Sequence, residues 1–473
     1  MNTFNEAITN VLSIYQHRDS RARVREDHDE LANQLDNLSG KNPTEIINTV
    51  TKLYFNNNPN NSAPGNISRL FTEPLPIAKI GAIISILGNN ASGTAKSNPF
   101  AAVAAELVFQ FMIKHIYDRT TAEAIDVPAG MAGVNMGIKL GRNFLYPKVK
   151  DEGMTNVKLI VITSDQSHYS VMSAAEDLGI GKKNVIKIKT DASGAMDLEQ
   201  LEIALNYYTK KGYKVIISST MGTTVLGGID NIKAINILRD TYNCWHNVDG
   251  SWGGVIPLGP DAHLVDGLCD VDSLTVDAHK ALRSTLTCAI VMTRKIGLLA
   301  DTNYMKEGAN YLYNSNKGLD IDNGKRSMEC GKPDRLLPIF LIIVILKKSG
   351  LRKMVHDYYE KAADFAKRVT DSEYFNLMHE PSFLNVCIQI TSPLDDTSDS
   401  VFTEKVQENI LSQKKSKIMI ELCEETISGE KVLRCIFIQP SMTVEYMDTF
   451  LDQLIQVRNR VKNQIINTKQ SVS

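Results

Sequence analysis

The sequence predicts an α/β fold: a mostly parallel central sheet with helices on both faces, followed by a small C-terminal α+β domain. Three observations carry this expectation. Between about residues 86 and 345, short β-rich runs alternate with helical stretches, as strands joined by crossover helices require. The 473 residues, 43% of them hydrophobic, suffice for a sizeable core. Beyond about residue 346 the order becomes helix, strand, strand, helix, which suits a smaller separate unit.

Residues 1–85 mix charged helical segments with the turn-rich stretch Asn56-Asn57-Asn58-Pro59-Asn60-Asn61-Ser62-Ala63-Pro64-Gly65, and read as an N-terminal arm containing a loop. In the large domain, 86–345, strands are expected at 157–162, 184–188, 215–219, 244–248, 273–276 and 288–293, and helices at 198–210 and 231–242. Gly179-Ile180-Gly181 lacks the third glycine of a nucleotide loop and closes a helix instead of opening one, so it reads as a C-cap. The apolar stretch 336–346 is about half the ~20 residues that a membrane span needs, which predicts a buried helix. The small domain, 346–473, is read as a helix at 354–370, strands at 384–390 and 433–438, and a helix at 444–461.

A net charge of −2 and a pI near 6.5 give no electrostatic footprint for nucleic acid or an anionic membrane surface. Cys244, Cys269, Cys288, Cys330, Cys387, Cys423 and Cys435 are odd in number and form no Cys-x-x-Cys pair, which implies a reduced compartment and no metal site. The first residues show neither a basic segment nor an apolar core of the signal-peptide kind. A cytoplasmic protein is the expectation.

Chemistry gathers at strand ends. Asn247-Val248-Asp249-Gly250-Ser251-Trp252-Gly253-Gly254 and Val276-Asp277-Ala278-His279-Lys280-Ala281 each close a β-branched run, and Lys280 follows Asp249 by thirty-one residues. Pyridoxal phosphate needs such a pair: a lysine amine to hold its aldehyde, and a carboxylate to keep its ring nitrogen protonated. Gly250, Gly253 and Gly254 would let the backbone pass close to a flat ring. Upstream, His168 sits in Ser167-His168-Tyr169-Ser170 after the 157–162 run, where its imidazole could stack on the ring. Taken singly, these residues read better as a surface lysine, a turn aspartate and a histidine in a capping loop; jointly the three segments reverse that preference and favour the cofactor.

These segments, with Ser219-Thr220-Met221-Gly222-Thr223-Thr224, resemble the group II pyridoxal-phosphate decarboxylases in order and spacing, from about Leu70 to near the C-terminus. The family includes glutamate, cysteine-sulfinate, aspartate and aromatic amino-acid decarboxylases. The resemblance implies pyridoxal-phosphate fold type I, the aspartate aminotransferase-like fold, and a homodimer with interfacial active sites. By it, Lys280 holds the cofactor, Asp249 partners the pyridine nitrogen and His168 stacks on the ring. His279, Thr220 and Thr223 would lie near the phosphate or ring hydroxyl. The phosphate loop, Gly130-Met131-Ala132-Gly133, lacks the family's usual hydroxyl, which leaves backbone N–H groups at the start of a helix expected near Gly133. Ala281 replaces a bulky apolar residue common in relatives.

In Gly308-Ala309-Asn310-Tyr311-Leu312-Tyr313, Tyr311 matches the mobile-loop tyrosine that protonates the substrate carbon in glutamate-type enzymes. Arg434 matches an arginine that grips the substrate's distal carboxylate, and Arg69 is a second candidate from the N-terminal segment. The resemblance therefore implies decarboxylation of an acidic amino acid. An aromatic amino-acid decarboxylase, another carbon–carbon lyase of the same fold, and a non-catalytic relative are the alternatives.

Overall fold

A seven-stranded sheet organises the computed structural model, which describes residues 2–18, 23–24, 28–304, 313, 321–413, 415–424 and 428–472. Its strands are β1 (Glu123–Val127), β2 (Leu159–Ser164), β3 (Val185–Ile188), β4 (Lys214–Thr220), β5 (Trp245–Asp249), β6 (Ser273–Asp277) and β7 (Ala289–Thr293). They lie in the order β1-β7-β6-β5-β4-β2-β3, with β7 antiparallel to both neighbours and the other pairings parallel. The six expected strands fall within a residue or two of these. β1 was not anticipated, because Glu123 and Asp126 interrupt its apolar pattern. Asp126 is tolerated inside because Lys332 Nζ lies 2.5 Å from its carboxylate and Arg335 3.5 Å.

Both faces of the sheet are covered. Alternate residues of one strand enter different cores: Ala124, Ile290 and Met292 pack with α1 (Pro76–Gly88), α2 (Pro99–His115) and α6 (Leu337–Thr370), while Ile125, Ala289 and Val291 pack with α3 (Gly130–Leu145). At the other end, Ile160, Ile162, Val215 and Ile217 pack on α4 (Leu198–Lys210) and α5 (Ile232–Thr241). Double-sided burial is why the strands read as continuous apolar runs. Asp197 and Asn231 cap α4 and α5 by accepting N–H bonds from their first turns. Gly179, at φ 71°, ends the helix Ser170–Asp177, as its sequence suggested.

Helix α6 begins earlier than expected, absorbs the apolar stretch, and turns sharply at Lys347 (φ 56°, ψ −178°). The buried-helix reading of 336–346 needs correction. Leu337, Pro338, Ile339 and Ile342 are buried, but Val344 and Ile345 are 51% and 55% exposed, so the helix shows a second, uncovered apolar face.

Beyond the turn, α6 joins α7 (Asp399–Ser412) and α8 (Val444–Val472) against an antiparallel sheet of β8 (Phe375–Leu377), β9 (Asn385–Ile390), β10 (Glu421–Glu424) and β11 (Lys431–Ile436), ordered β10-β11-β9-β8. Helix α7, the short strands β8 and β10 and the two-residue strand Lys415–Ser416 are elements that the sequence reading does not include. The N-terminal arm carries the helices Asn2–Gln16, His28–Asp36 and Pro43–Asn57. Its last segment then crosses this smaller sheet, where Ile67 N–H donates to Met419 O and Ile67 O accepts from Ile436 N–H. Beyond that crossing, Ser68 O accepts from Arg434 of β11 and Leu70 reaches the cavity at the strand ends.

Candidate active site

The carboxyl ends of parallel strands leave a crevice, because the chain turns away into helices there. Here β2, β4, β5 and β6 end around a cavity of about 190 Å³ whose lining includes His168, Thr220, Asp249, Ser251, Asp277 and Lys280. Asp249, the last residue of β5, is fixed by register against Thr220 and Thr275, and its Oδ1 accepts the Ser251 N–H at 3.0 Å. Lys280 stands in the turn after β6. Its side chain is 21% exposed, and its Nζ lies 3.0 Å from Asp277 Oδ2.

His168 stands in the turn after β2, where its Nδ1 accepts the Ser170 N–H at 3.2 Å. That bond places any proton of the neutral ring on Nε2. Burial holds the imidazole pKa below its ordinary value, with Asp249 and Asp277 pulling the other way and Lys280 adding to the depression. A neutral, flat ring suits stacking. His279 also lines the cavity; its Nδ1 is 3.0 Å from Cys288 O and its Nε2 3.8 Å from Asp277 Oδ2.

The phosphate loop differs from expectation. Helix α3 starts at Gly130 with Ala129 as N-cap, three residues before the expected position, so the N–H groups of Gly130, Met131 and Ala132 precede the first intrahelical bond. Gly133 is not one of these donors: its N–H donates to Ala129 O. What it provides is closeness, since a side chain there would run into Thr275. The hydroxyl missing from the loop is supplied in space. Ser251 Oγ stands 2.8 Å from where a Cβ on Gly130 would be, and Ser170 lines the same cavity with a buried Oγ that has no hydrogen-bond partner among the described residues.

Other expectations shift in the same way. Thr223 lies under its turn, its Oγ1 accepting the Gly228 N–H, while Gly222 and Thr224 reach the cavity. Gly250, Gly253 and Gly254 make room for protein instead of a ligand, because side chains on them would meet Met221, Thr275 and Val276. Met131 lines the cavity; Ala132 packs into the core beneath α3. Arg434 is buried behind the wall, donating from Nη1 to Thr224 O at 2.9 Å and from Nη2 to Ser68 O at 2.6 Å. Thr224 and Leu70 present the wall's inner surface. Arg69 faces a neighbouring cavity, with Phe71 and Glu73. Tyr311 lies outside the described residues.

Asp277, Ser170, Ser251 and Trp252 are site residues that received no role from sequence. All four stood inside the quoted motifs, but the direction of a short polar side chain depends on which strands become neighbours. Trp252 ties the site to the smaller sheet, donating from Nε1 to Asn385 Oδ1 at 2.7 Å.

The residues present fit pyridoxal phosphate. A reachable lysine, a buried carboxylate and a neutral histidine share a cavity with a helix N-terminus, and two of its buried polar atoms, Ser170 Oγ and Asp277 Oδ1, have no hydrogen-bond partner among the described residues. Among the described residues, no cluster of side chains suits a metal ion.

Comparison with known proteins agrees with this chemistry. The family described as "Pyridoxal-dependent decarboxylase conserved domain" matches residues 131–391. Human cysteine sulfinic acid decarboxylase is 28% identical over 335 residues, which cover 70% of this chain and 68% of that protein. Glutamate decarboxylase from Drosophila melanogaster is 29% identical over 318 residues, 64% of this chain and 62% of that one. In fold, a crystal structure of mouse CSAD superposes with a TM-score of 0.89 at 23% identity, covering 97% of this chain and 99% of the other.

Proposed function

The chain belongs to the pyridoxal-dependent decarboxylases, and from that membership we propose that its substrate is an acidic L-amino acid: glutamate, aspartate or cysteine sulfinate. It is a carboxy-lyase that releases carbon dioxide and an amine with the help of pyridoxal phosphate. The observation that carries the site assignment is the convergence of Lys280, Asp249 and His168 in one cavity at the strand ends.

When bound, the cofactor supplies an electron sink for the bond that breaks at the substrate's α-carbon. Lys280, whose amine reaches the cavity, would be the residue that holds its aldehyde. Asp249 would keep a proton on the pyridine nitrogen, and His168 would cover the ring and exclude water. The N–H groups of Gly130, Met131 and Ala132, with the Ser170 and Ser251 hydroxyls, would hold the phosphate. Tyr311 or a neighbouring acid protonates the α-carbon after carbon dioxide leaves.

Substrate class rests on Arg434. Its guanidinium is held by Thr224 O and Ser68 O behind the wall that Thr224 presents to the cavity, and its Nε is buried with no partner among the described residues. An acidic side chain seated against that wall meets the charge in a desolvated place. Arg434→Met is expected to raise KM for the preferred acidic substrate steeply, since a charge-assisted interaction lost from a buried site costs ~2–5 kcal/mol. Arg434→Lys recovers only part, because an ammonium cannot serve Ser68 O, Thr224 O and a substrate in the fork geometry. The deciding experiment is a carbon dioxide release screen over all amino acids and cysteine sulfinate, with pyridoxal phosphate supplied. Preference for tyrosine or dihydroxyphenylalanine would overturn the acidic reading.

The same proposal includes a cytoplasmic homodimer with interfacial active sites, built from an arm (1–85), a cofactor domain (86–345) and a small domain (346–473). Seven free cysteines support the compartment, and no described helix is long and apolar enough to cross a membrane.

A further inference from the structure

Asp277 presents a conflict that the rest of the site does not resolve. It ends β6 and is 3% exposed, and its carboxylate lies beneath the first turn of α3, with oxygens 2.7 and 2.9 Å from where a Cβ on Gly130 would stand. That turn offers free N–H groups and the positive end of a sixteen-residue helix, a seat for an anion. The seat therefore has a carboxyl group in its floor. Oδ2 is engaged by Lys280 Nζ at 3.0 Å, and Oδ1 is buried with no hydrogen-bond partner among the described residues.

Every charged or titratable group facing Asp277 bears on its state. Lys280 and His279 stand in its own turn, Asp249 approaches from β5 and His168 from the turn after β2; Cys288, in front of β7, stays a neutral thiol because burial drives its pKa far up. Of these, Lys280 lies nearest, its Nζ 3.0 Å from Asp277 Oδ2, and that amine is the one the cofactor would take. Once Lys280 is engaged, a carboxylate at 277 would face a phosphate dianion with its principal counter-charge withdrawn and one oxygen already unsatisfied.

We propose that Asp277 is the proton carrier of the cofactor site: a carboxylate paired with Lys280 while the site is empty, and a neutral carboxylic acid facing the phosphate once the cofactor is in. The proton comes from solvent, one per site, and its place on Oδ1 gives that oxygen the hydrogen-bond donor an acceptor-only carboxylate lacks. Burial already pushes the Asp277 pKa up, against the opposing pull of Lys280 and His279. A carboxyl whose pKa rises further on binding takes up a proton, so affinity falls as pH rises past its value in the empty site, by up to tenfold per unit. Asp277 is on this account a positioning residue, which sets how tightly the site keeps its cofactor.

This inference rests on the cofactor reading above, and its test separates the two. The cofactor-free protein is titrated with pyridoxal phosphate, followed by visible absorbance, from about pH 7 to 9, alongside Asp277→Asn and with pyridoxal as the ligand lacking phosphate. The wild type is expected to lose affinity with pH more steeply than Asp277→Asn, by close to tenfold per unit, and the two proteins to run parallel with pyridoxal. Should the variant not fold, calorimetry of the wild type in buffers of different ionisation enthalpy is expected to give one more proton taken up with pyridoxal phosphate than with pyridoxal. Parallel slopes for the two proteins with pyridoxal phosphate, or equal proton uptake for the two ligands, would overturn the role of Asp277. A protein that binds no cofactor would instead overturn the cofactor reading.

Discussion

Asp249 and Asp277 show how one cavity gives two carboxyl groups different work. Asp249 has its Oδ1 held by the Ser251 N–H, whereas Asp277 is pressed against a helix N-terminus with one oxygen unpaired. Asp249→Asn keeps the shape but removes the charge that holds a proton on the pyridine nitrogen. We expect it to retain cofactor, seen by its visible absorbance, yet to lose turnover by ~10²-fold or more, as for other preorganised electrostatic groups. Near-normal turnover in the loaded variant would contradict the assignment. Lys280, Asp249 and His168 were legible in the sequence because each needs only a strand end before it. Thr223 was not, because a threonine in a turn can face the cavity or its own backbone, and the bond from Gly228 N–H to Oγ1 decides that.

At the scale of the element, α3 joins stability to cofactor binding. Its N-terminus must approach β6 closely, and Gly133 permits this: an added methyl would collide with the Thr275 side chain, which is buried in the strand between β5 and β7. Gly133→Ala is expected to destabilise the protein by ~1–3 kcal/mol through overpacking, measured by urea unfolding of the cofactor-free form. Because the same turn carries the Gly130 and Met131 N–H groups, cofactor affinity should weaken in parallel. Unchanged unfolding and affinity would show that helix and strand shift apart without cost. The sequence marked these glycines but not their purpose. Glycine for a ligand and glycine for a neighbouring strand look alike until the strand order is known, which is also why Gly250, Gly253 and Gly254 were misread.

For the whole molecule, what remains uncovered is as informative as what is buried. Helix α1 leaves Ile80, Ile83, Ile84, Ile86 and Leu87 at 50–75% exposure, α2 leaves Phe100, Val103 and Leu107, and the first half of α6 adds Val344 and Ile345. These three helices pack on one another through α1 with α6 and α2 with α6, so their exposed side chains belong to one layer of the fold. An apolar expanse of this kind is costly in water and marks an interaction site. A two-fold dimer would cover it with a second copy of itself, the commonest form of assembly. The double exchange Ile83→Glu with Leu87→Glu places two charges one helical turn apart on that face, where pairing would have to bury them. Light scattering should then report a dimer for the wild type and a monomer for the double variant at the same concentration. Activity should fall with dissociation if the second copy completes the site, and should be regained at protein concentrations high enough to restore the dimer. A wild type that is monomeric while fully active would remove both the dimer and the interfacial site from the proposal.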